Sequence, residues 1–100
     1  MKTIDVQVTR VSTRGAINIG RPTALGNPFV MSNETDRNKV CDQYEIWFDN
    51  KVEGKDPAVM LALQKIMVQG ERDQYIRLGC YCSPKRCHGD TIARWLRQHL

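Results

Sequence analysis

The segment that decides the fold is a strand that runs into a loop and then opens a helix, and it reads Leu78-Gly79-Cys80-Tyr81-Cys82-Ser83-Pro84-Lys85-Arg86-Cys87-His88-Gly89-Asp90. The strand is predicted over residues 75–82, with Ile76, Leu78 and Cys80 on one face. The helix is predicted to begin near residues 88–90. A helix start offers unpaired backbone N–H groups and the positive end of a dipole, which favour an anion. The alternative is a buried, cysteine-rich strand end followed by an ordinary capped helix.

Two more strands are predicted near the N-terminus. Ile4, Val6 and Val8 alternate with polar residues, which is the period-2 pattern of a half-buried strand. Residues 16–19 predict a second, shorter strand. Because helices separate these segments from the strand over residues 75–82, we expect a short, partly parallel sheet.

Two helices are predicted between the second and third strands, and capping residues mark their ends. Asn33 is the expected N-cap of the first helix. Its buried face carries Val40, Tyr44, Trp47 and Phe48. Asp56 caps the second helix, Pro57 occupies its first position, and Gly70 follows its last turn. Together with the C-terminal helix, this order predicts a compact α/β domain of two or three layers with about three helices.

The length and charge of the chain limit which classes of function are expected. The chain has 100 residues, 41% of them hydrophobic and 26% charged, which is typical of one globular domain over residues 1–100. The formal charge is +4, and the positive charge lies in residues 1–24 and 74–100, around an acidic middle. The positive ends coincide with the two segments that carry sequence motifs, residues 20–29 and 78–90. The charge distribution therefore favours a local anion pocket over a broad polyanion-binding face.

The apolar runs and the cysteines indicate the expected cellular location of the chain. No run approaches the roughly 18 apolar residues of a membrane span, and the alternating N-terminus is unlike a signal peptide. Three of the four cysteines lie within eight residues, which does not suggest a disulfide framework. We therefore expect a reduced, cytoplasmic chain without a membrane partner.

A second motif follows the second strand and reads Gly20-Arg21-Pro22-Thr23-Ala24-Leu25-Gly26-Asn27-Pro28-Phe29. Two glycines and two prolines in ten residues exclude a helix or a central strand and indicate a shaped loop. Arg21 is a candidate bidentate phosphate ligand, and Asn27 a candidate partner for a base or ribose. The plainer interpretation is that both residues only fix a tight loop.

These two motifs, with a Tyr/Trp-bearing helix between them, closely resemble one family, domain of unknown function 4326, found in bacterial and bacteriophage proteins. The resemblance extends over roughly residues 6–96. It implies a distant, Rossmann-like similarity to compact nucleotide-handling domains, which is an analogy at the level of fold. On that analogy both motifs converge on one ligand at the strand ends.

The preferred hypothesis is a site for a nucleotide or another phosphorylated small molecule, and hydrolysis or transfer at a nucleotide or its glycosidic bond is one activity it suggests. The candidate catalytic residues are His88 and Asp90, which would position or activate a water. Lys85 would add charge at the helix start. The candidate ligand-binding residues are Gly20, Arg21, Gly26, Asn27, Arg86, Cys87 and Gly89.

Zinc is the first alternative for the cysteine-rich segment, and no other cofactor is expected. Its candidate ligands are Cys80, Cys82, Cys87 and His88, a set of the Cys₃His type. Against this alternative, adjacent Cys87 and His88 are expected to be strained in reaching one ion. Phosphatase-like chemistry is weaker still, because the Cys-x₅-Arg segment from Cys80 to Arg86 contains no glycine and holds Pro84.

Two alternatives concern macromolecular partners. Nucleic-acid binding would use the basic ends, yet the aromatic residues Trp47, Phe48 and Trp95 fall at helical spacing and are better assigned to the core. No helix-turn-helix or RNA-recognition signature is present. A small accessory protein that binds a host protein is the other alternative, if the chain is encoded by a phage.

Overall fold

The computed structural model describes residues 4–83 and 85–100. Its strands are β1 (Asp5–Arg10), β2 (Ile17–Asn18) and β3 (Tyr75–Cys80). Its helices are α1 (Arg37–Glu53), α2 (Pro57–Asp73) and α3 (Gly89–His99), and a short 3₁₀ helix over Glu34–Asp36 precedes α1. The predicted α/β class is confirmed. In the described part of the chain, no helix is both long and apolar enough to cross a membrane.

The strands form a three-stranded sheet in the order β1-β3-β2, and both outer strands run parallel to β3. Asp5 pairs with Tyr75, Arg10 with Cys80, and Ile17 with Leu78. A parallel sheet brings the carboxyl ends of its strands to one edge. The segments that follow β2 and β3, which carry the two motifs, therefore leave the sheet at the same edge.

Two helices lie on one face of this sheet. A side-chain carbon added at Gly70 of α2 would lie 2.7 Å from Ile76, and one added at Gly89 of α3 would lie 3.0 Å from Val8. Val8 pairs with Leu78, which lies two residues beyond Ile76 and so on the same face of the sheet, and both helices therefore pack on that side. Within the described residues the architecture therefore has two layers. The Rossmann-like arrangement, with helices on both faces, finds no support.

The opposite face is covered by the connection between β1 and β2. A side-chain carbon at Gly79 would lie 3.0 Å from the Cα atom of Val11 and 3.2 Å from the Cβ atom of Ala16. The connection thus crosses directly over β3, and only glycine leaves room for it. Arg77 donates a hydrogen bond to the backbone oxygen of Arg14, which ties the connection to the same face.

The predicted helix ends are confirmed in part, with two corrections. Asn33 caps the short 3₁₀ helix before α1, and not α1 itself, which has Asp36 at its N-cap position. Asp56 accepts a hydrogen bond from the backbone N–H of Val59, and Pro57 begins α2 as predicted. The prediction that Gly70 follows the last turn is wrong, because α2 continues to Asp73 and ends at Gln74, whose φ is +66°. Gly70 lies within the helix because its missing side chain lets α2 approach β3 closely.

The core lies between the sheet and the helices. From α1 it takes Tyr44 and Phe48, which are fully buried and stacked with ring centroids 5.9 Å apart. From β3 and α3 it takes Leu78, Ile92 and Leu96, none of which is exposed. Helix α1 therefore forms the outer wall of the core, next to the loops that follow β2 and β3.

Candidate functional site

A cleft of about 280 Å³ opens at the carboxyl edge of the sheet, and both sequence motifs line it. The loop after β2 contributes Gly20, Arg21, Asn27 and Phe29. The end of β3 and the loop after it contribute Cys80, Tyr81, Cys82, Cys87 and His88. Helix α1 closes one side with Arg37, Val40 and Cys41. Segments about 60 residues apart in sequence thus meet around one cavity, as parallel strand ends predict.

Five of the nine residues proposed from sequence line this cleft: Gly20, Arg21, Asn27, Cys87 and His88. The other four, Gly26, Arg86, Gly89 and Asp90, lie outside its lining. Each of these four has a described structural contact instead. The sequence therefore predicted which segments meet at the cleft but not which way every side chain points.

The loop after β2 is held in shape by Gly26 and Asn27. A side-chain carbon at Gly26 would lie 2.9 Å from both the backbone N and Cα of Arg21, so this position tolerates only glycine without a shift of the loop. The Asn27 side-chain oxygen accepts a hydrogen bond of 2.9 Å from the backbone N–H of Phe29. This leaves the Asn27 amide hydrogens for the cleft. The peptide bond between Arg21 and Pro22 is cis.

Arg86 and Asp90 are engaged away from the cleft. Arg86 donates to the Asp42 carboxylate at 2.8 Å and to both oxygens of Asn38, all on α1. Asp90 accepts a hydrogen bond from the backbone N–H of Cys87 at 3.3 Å, so it stabilises the start of α3. The expected orientation of His88 by Asp90 is not among the described contacts.

His88 is oriented by backbone and aromatic contacts instead. Its Nε2 atom lies 2.7 Å from the carbonyl oxygen of Ile19, and because a carbonyl only accepts, this nitrogen carries a proton. The ring meets Tyr44 edge-on, with centroids 5.0 Å apart, and the Tyr44 hydroxyl donates to the carbonyl oxygen of Leu25 at 2.7 Å. Tyr44 thereby links α1 to the loop after β2 and to the start of α3.

Three donor atoms gather at the floor of the cleft. The two sulfurs of Cys80 and Cys87 and a ring nitrogen of His88 lie within 4.8 Å of one another. The predicted zinc ligand Cys82 lies outside this group. That adjacent Cys87 and His88 are strained in reaching one ion stays a prediction, although both residues line the cleft and their donor atoms lie within 4.8 Å of each other.

The two sulfurs of this group influence each other's protonation. The hydrogen bond with Cys87 lowers the pKa of the Cys80 thiol, with further help from His88, although burial opposes the shift. The same hydrogen bond, together with burial, raises the pKa of the Cys87 thiol. Cys80 is therefore the sulfur of the pair that favours the thiolate form.

Arg37 is a cleft residue that the sequence did not reveal. It donates two hydrogen bonds to the Glu34 carboxylate, at 2.6 and 2.8 Å, and one to the backbone oxygen of Arg86. The hydrogen bond from Arg37 lowers the pKa of Glu34 to about 2. The contact with Arg86 joins residues 49 positions apart. No local sequence pattern predicts a contact between residues so far apart in the chain.

In the folded chain, much of the positive charge near the C-terminus is paired with acidic side chains. The basic C-terminal segment is largely paired with the acidic middle: Arg94 contacts Glu45 and Asp49, and Arg86 contacts Asp42, all within 2.9 Å. Arg21 is different. Across residues 4–83 and 85–100 no hydrogen bond or ion pair involves its guanidinium group, which lies exposed at the edge of the cleft.

Fold and site together define a small α/β domain with a cleft at the carboxyl edge of a parallel sheet. The chain belongs to the family described as Domain of unknown function (DUF4326), whose profile matches residues 4–98. The family resemblance inferred from the two motifs is thus confirmed. Neither the curated proteins nor the solved structures include a significant match.

Proposed function

We propose that the cleft binds a nucleotide or another small molecule that carries a phosphate group. The observation that carries the proposal is the meeting of both motif segments around one cavity, with Arg21 at its edge. A guanidinium group binds phosphate through two parallel hydrogen bonds, and an arginine without a protein partner is available for this role. The carboxyl edge of a parallel sheet is also the usual ligand position in α/β folds.

The apolar part of the cleft suits the remainder of such a ligand. Phe29 and Tyr81 line it, and Tyr81 leaves 73% of its surface exposed. Val30 lies on the same cleft and is 69% exposed. Large apolar side chains that remain exposed beside a cation favour a ligand with a flat apolar part and a charged part. A nucleotide has both.

The remaining polar groups fit supporting roles. Gly20 lets Tyr81 pack close to the backbone at the cleft, since a side-chain carbon there would lie 3.1 Å from the Tyr81 ring. The Asn27 amide would donate to a base or ribose. The volume of about 280 Å³ is near the lower end of small-molecule sites, which span about 300–1,000 Å³. A mononucleotide with its phosphate at the edge is the largest ligand that we expect to fit.

A reaction at this site would use His88 rather than Asp90, because the Asp90 carboxylate is engaged with the backbone of Cys87. His88 lines the cleft, and its ring is held in place by the contact of Nε2 with the carbonyl oxygen of Ile19. Hydrolysis or transfer at a nucleotide remains the activity class that we propose for a catalytic role. Binding of nucleic acid stays a prediction, which a steep salt dependence of association with DNA or RNA would support. Binding of a host protein also stays a prediction.

The proposal predicts thermal stabilisation by at least one nucleotide. A ligand at about 100 times its Kd adds about 2.7 kcal/mol of stability. For a domain of this size, that corresponds to a rise in Tm of about 10–20 °C. The measurement is a thermal melt against adenosine, guanosine, cytidine and uridine mono- and triphosphates, with inorganic phosphate and the free nucleosides as controls. If no member of this panel raises the Tm, the proposal of a nucleotide site is wrong.

A further inference from the structure

The cluster of Cys80, Cys87 and His88 is built like a metal site. Each of the three residues is buried, and their donor atoms lie within 4.8 Å of one another. Two thiols and an imidazole are donors that zinc and similar thiophilic cations prefer. Tetrahedral zinc holds two sulfurs about 3.8 Å apart. Closing the cluster around an ion therefore needs each pair of donors to approach by no more than about 1 Å.

The orientation of His88 supports the same conclusion independently. Metal-binding histidines usually donate their second ring N–H to a carbonyl or carboxylate, which fixes the ring and its tautomer. His88 does this through Nε2, 2.7 Å from the carbonyl oxygen of Ile19, and Tyr44 packs against the ring. The nitrogen left for a cation is Nδ1. The side chain is thus held as a ligand before any ion is present.

The fourth position of a tetrahedral site would face the cleft. All three residues of the cluster line the cavity. Within the described part of the chain, no fourth cysteine or histidine belongs to the cluster. Cys82, the nearest further cysteine in sequence, lines the cleft but lies outside the cluster. Two cysteines, one histidine and an open position are typical of catalytic rather than structural zinc.

We propose that Cys80, Cys87 and His88 bind one thiophilic divalent cation of the zinc class at the floor of the cleft, with its fourth position open to the cavity. Water or an oxygen of a cleft ligand completes the coordination. The ion would polarise that oxygen and act as a Lewis acid. Metal binding by these three residues does not depend on the phosphate ligand proposed for the same cleft.

The test is metal binding by the reduced, full-length protein. Co²⁺ is added to apoprotein kept under a phosphine reductant, and its absorption is recorded before displacement by Zn²⁺. We expect one Co²⁺ per chain, with thiolate-to-metal charge transfer and the d–d bands of a tetrahedral ion. Cys80→Ser, Cys87→Ser and His88→Ala are expected to weaken Zn²⁺ binding by more than about 100-fold, since loss of even an outer partner costs 10- to 100-fold.

Matched variants make the assignment falsifiable. Cys82→Ser and Cys41→Ser remove the two cleft thiols outside the cluster, and we expect both to keep wild-type affinity and spectra. Absence of the charge-transfer band in wild-type protein that is folded by circular dichroism would overturn the proposal. Equal loss of binding in Cys82→Ser would do the same. Because the wild-type spectrum is read without any cluster variant, a cluster variant that fails to fold leaves that test intact.

A separate measurement tests whether the fourth coordination position is open. Azide added to the Co²⁺ protein is expected to shift the d–d bands, because a small anion replaces water at the fourth position. An unchanged spectrum would show a closed site and contradict that part of the proposal. Nucleotide binding measured on protein treated with a chelator separates the two proposals. Stabilisation of the apoprotein by a nucleotide supports the phosphate site whatever the metal result.

Discussion

Replacing Phe48 by Ala is expected to lower the free energy of unfolding by about 3–5 kcal/mol. Phe48 is fully buried in α1, and its ring stacks against Tyr44. Removing the ring leaves a cavity that the surrounding side chains fill only in part. Since domains of this size are usually stable by about 5–15 kcal/mol, the loss is a large share of the total. Urea denaturation followed by far-UV circular dichroism measures it.

The matched control is Ile46→Ala on the same helix. Ile46 leaves 65% of its surface exposed, so its truncation is expected to change stability by no more than about 0.5 kcal/mol. A loss of under about 1 kcal/mol for Phe48→Ala would show that α1 is not packed on the core as described. Tyr44 contacts both Phe48 and His88, so the core packs directly against the cleft.

Replacing Arg21 by Ala is expected to weaken binding of the most stabilising nucleotide by about 10- to 100-fold. A hydrogen bond to a charged group contributes about 1.5–3 kcal/mol, and each 1.4 kcal/mol is a factor of ten in affinity. Stability should stay within about 0.5 kcal/mol of the wild type, because Arg21 is exposed and makes no described ion pair. Titration calorimetry and a thermal melt of the free variant measure the two quantities.

Arg72→Ala is the charge-matched control for Arg21. It removes one exposed arginine at the end of α2, which precedes the start of β3 and so lies at the opposite edge of the sheet. We expect nucleotide affinity to be unchanged, and Arg21→Lys to retain part of it, since lysine keeps the charge but not the paired hydrogen bonds. Equal weakening by Arg72→Ala and Arg21→Ala would indicate a general effect of net charge and contradict a phosphate contact at Arg21.

The elements of the fold were predictable where a local pattern determines them. Asp56 caps α2, and Asn33 caps the short 3₁₀ helix that leads into α1, because the chemistry of both capping residues acts within three positions. Gly70 was misassigned because its role is contact with Ile76 on a neighbouring strand, which local patterns do not contain. The role of Gly79 was not predicted for the same reason, since this residue makes room for a chain segment about 65 residues away.

The site was predictable at the level of segments and less so for single side chains. Parallel strands bring their carboxyl ends together, so the meeting of the Arg21 loop with the Cys87–His88 turn followed from topology. Which side chains enter the cleft depends on contacts across the fold. Arg86 is held on α1 by Asp42, whereas Arg37 enters the cleft from a helix that the motifs do not include.

The most direct test of the central claim, that both motif segments form one ligand site, is a nucleotide titration of ¹⁵N-labelled protein followed by backbone amide chemical shifts. The predicted result is saturable shifts that cluster in the loop after β2, at Gly20, Arg21 and Phe29, and around Tyr81 and Cys87. The amides of α2 should change little, because that helix contributes nothing to the cleft. Saturable shifts confined to one loop or to α2, or none with any nucleotide of the panel, would contradict the account.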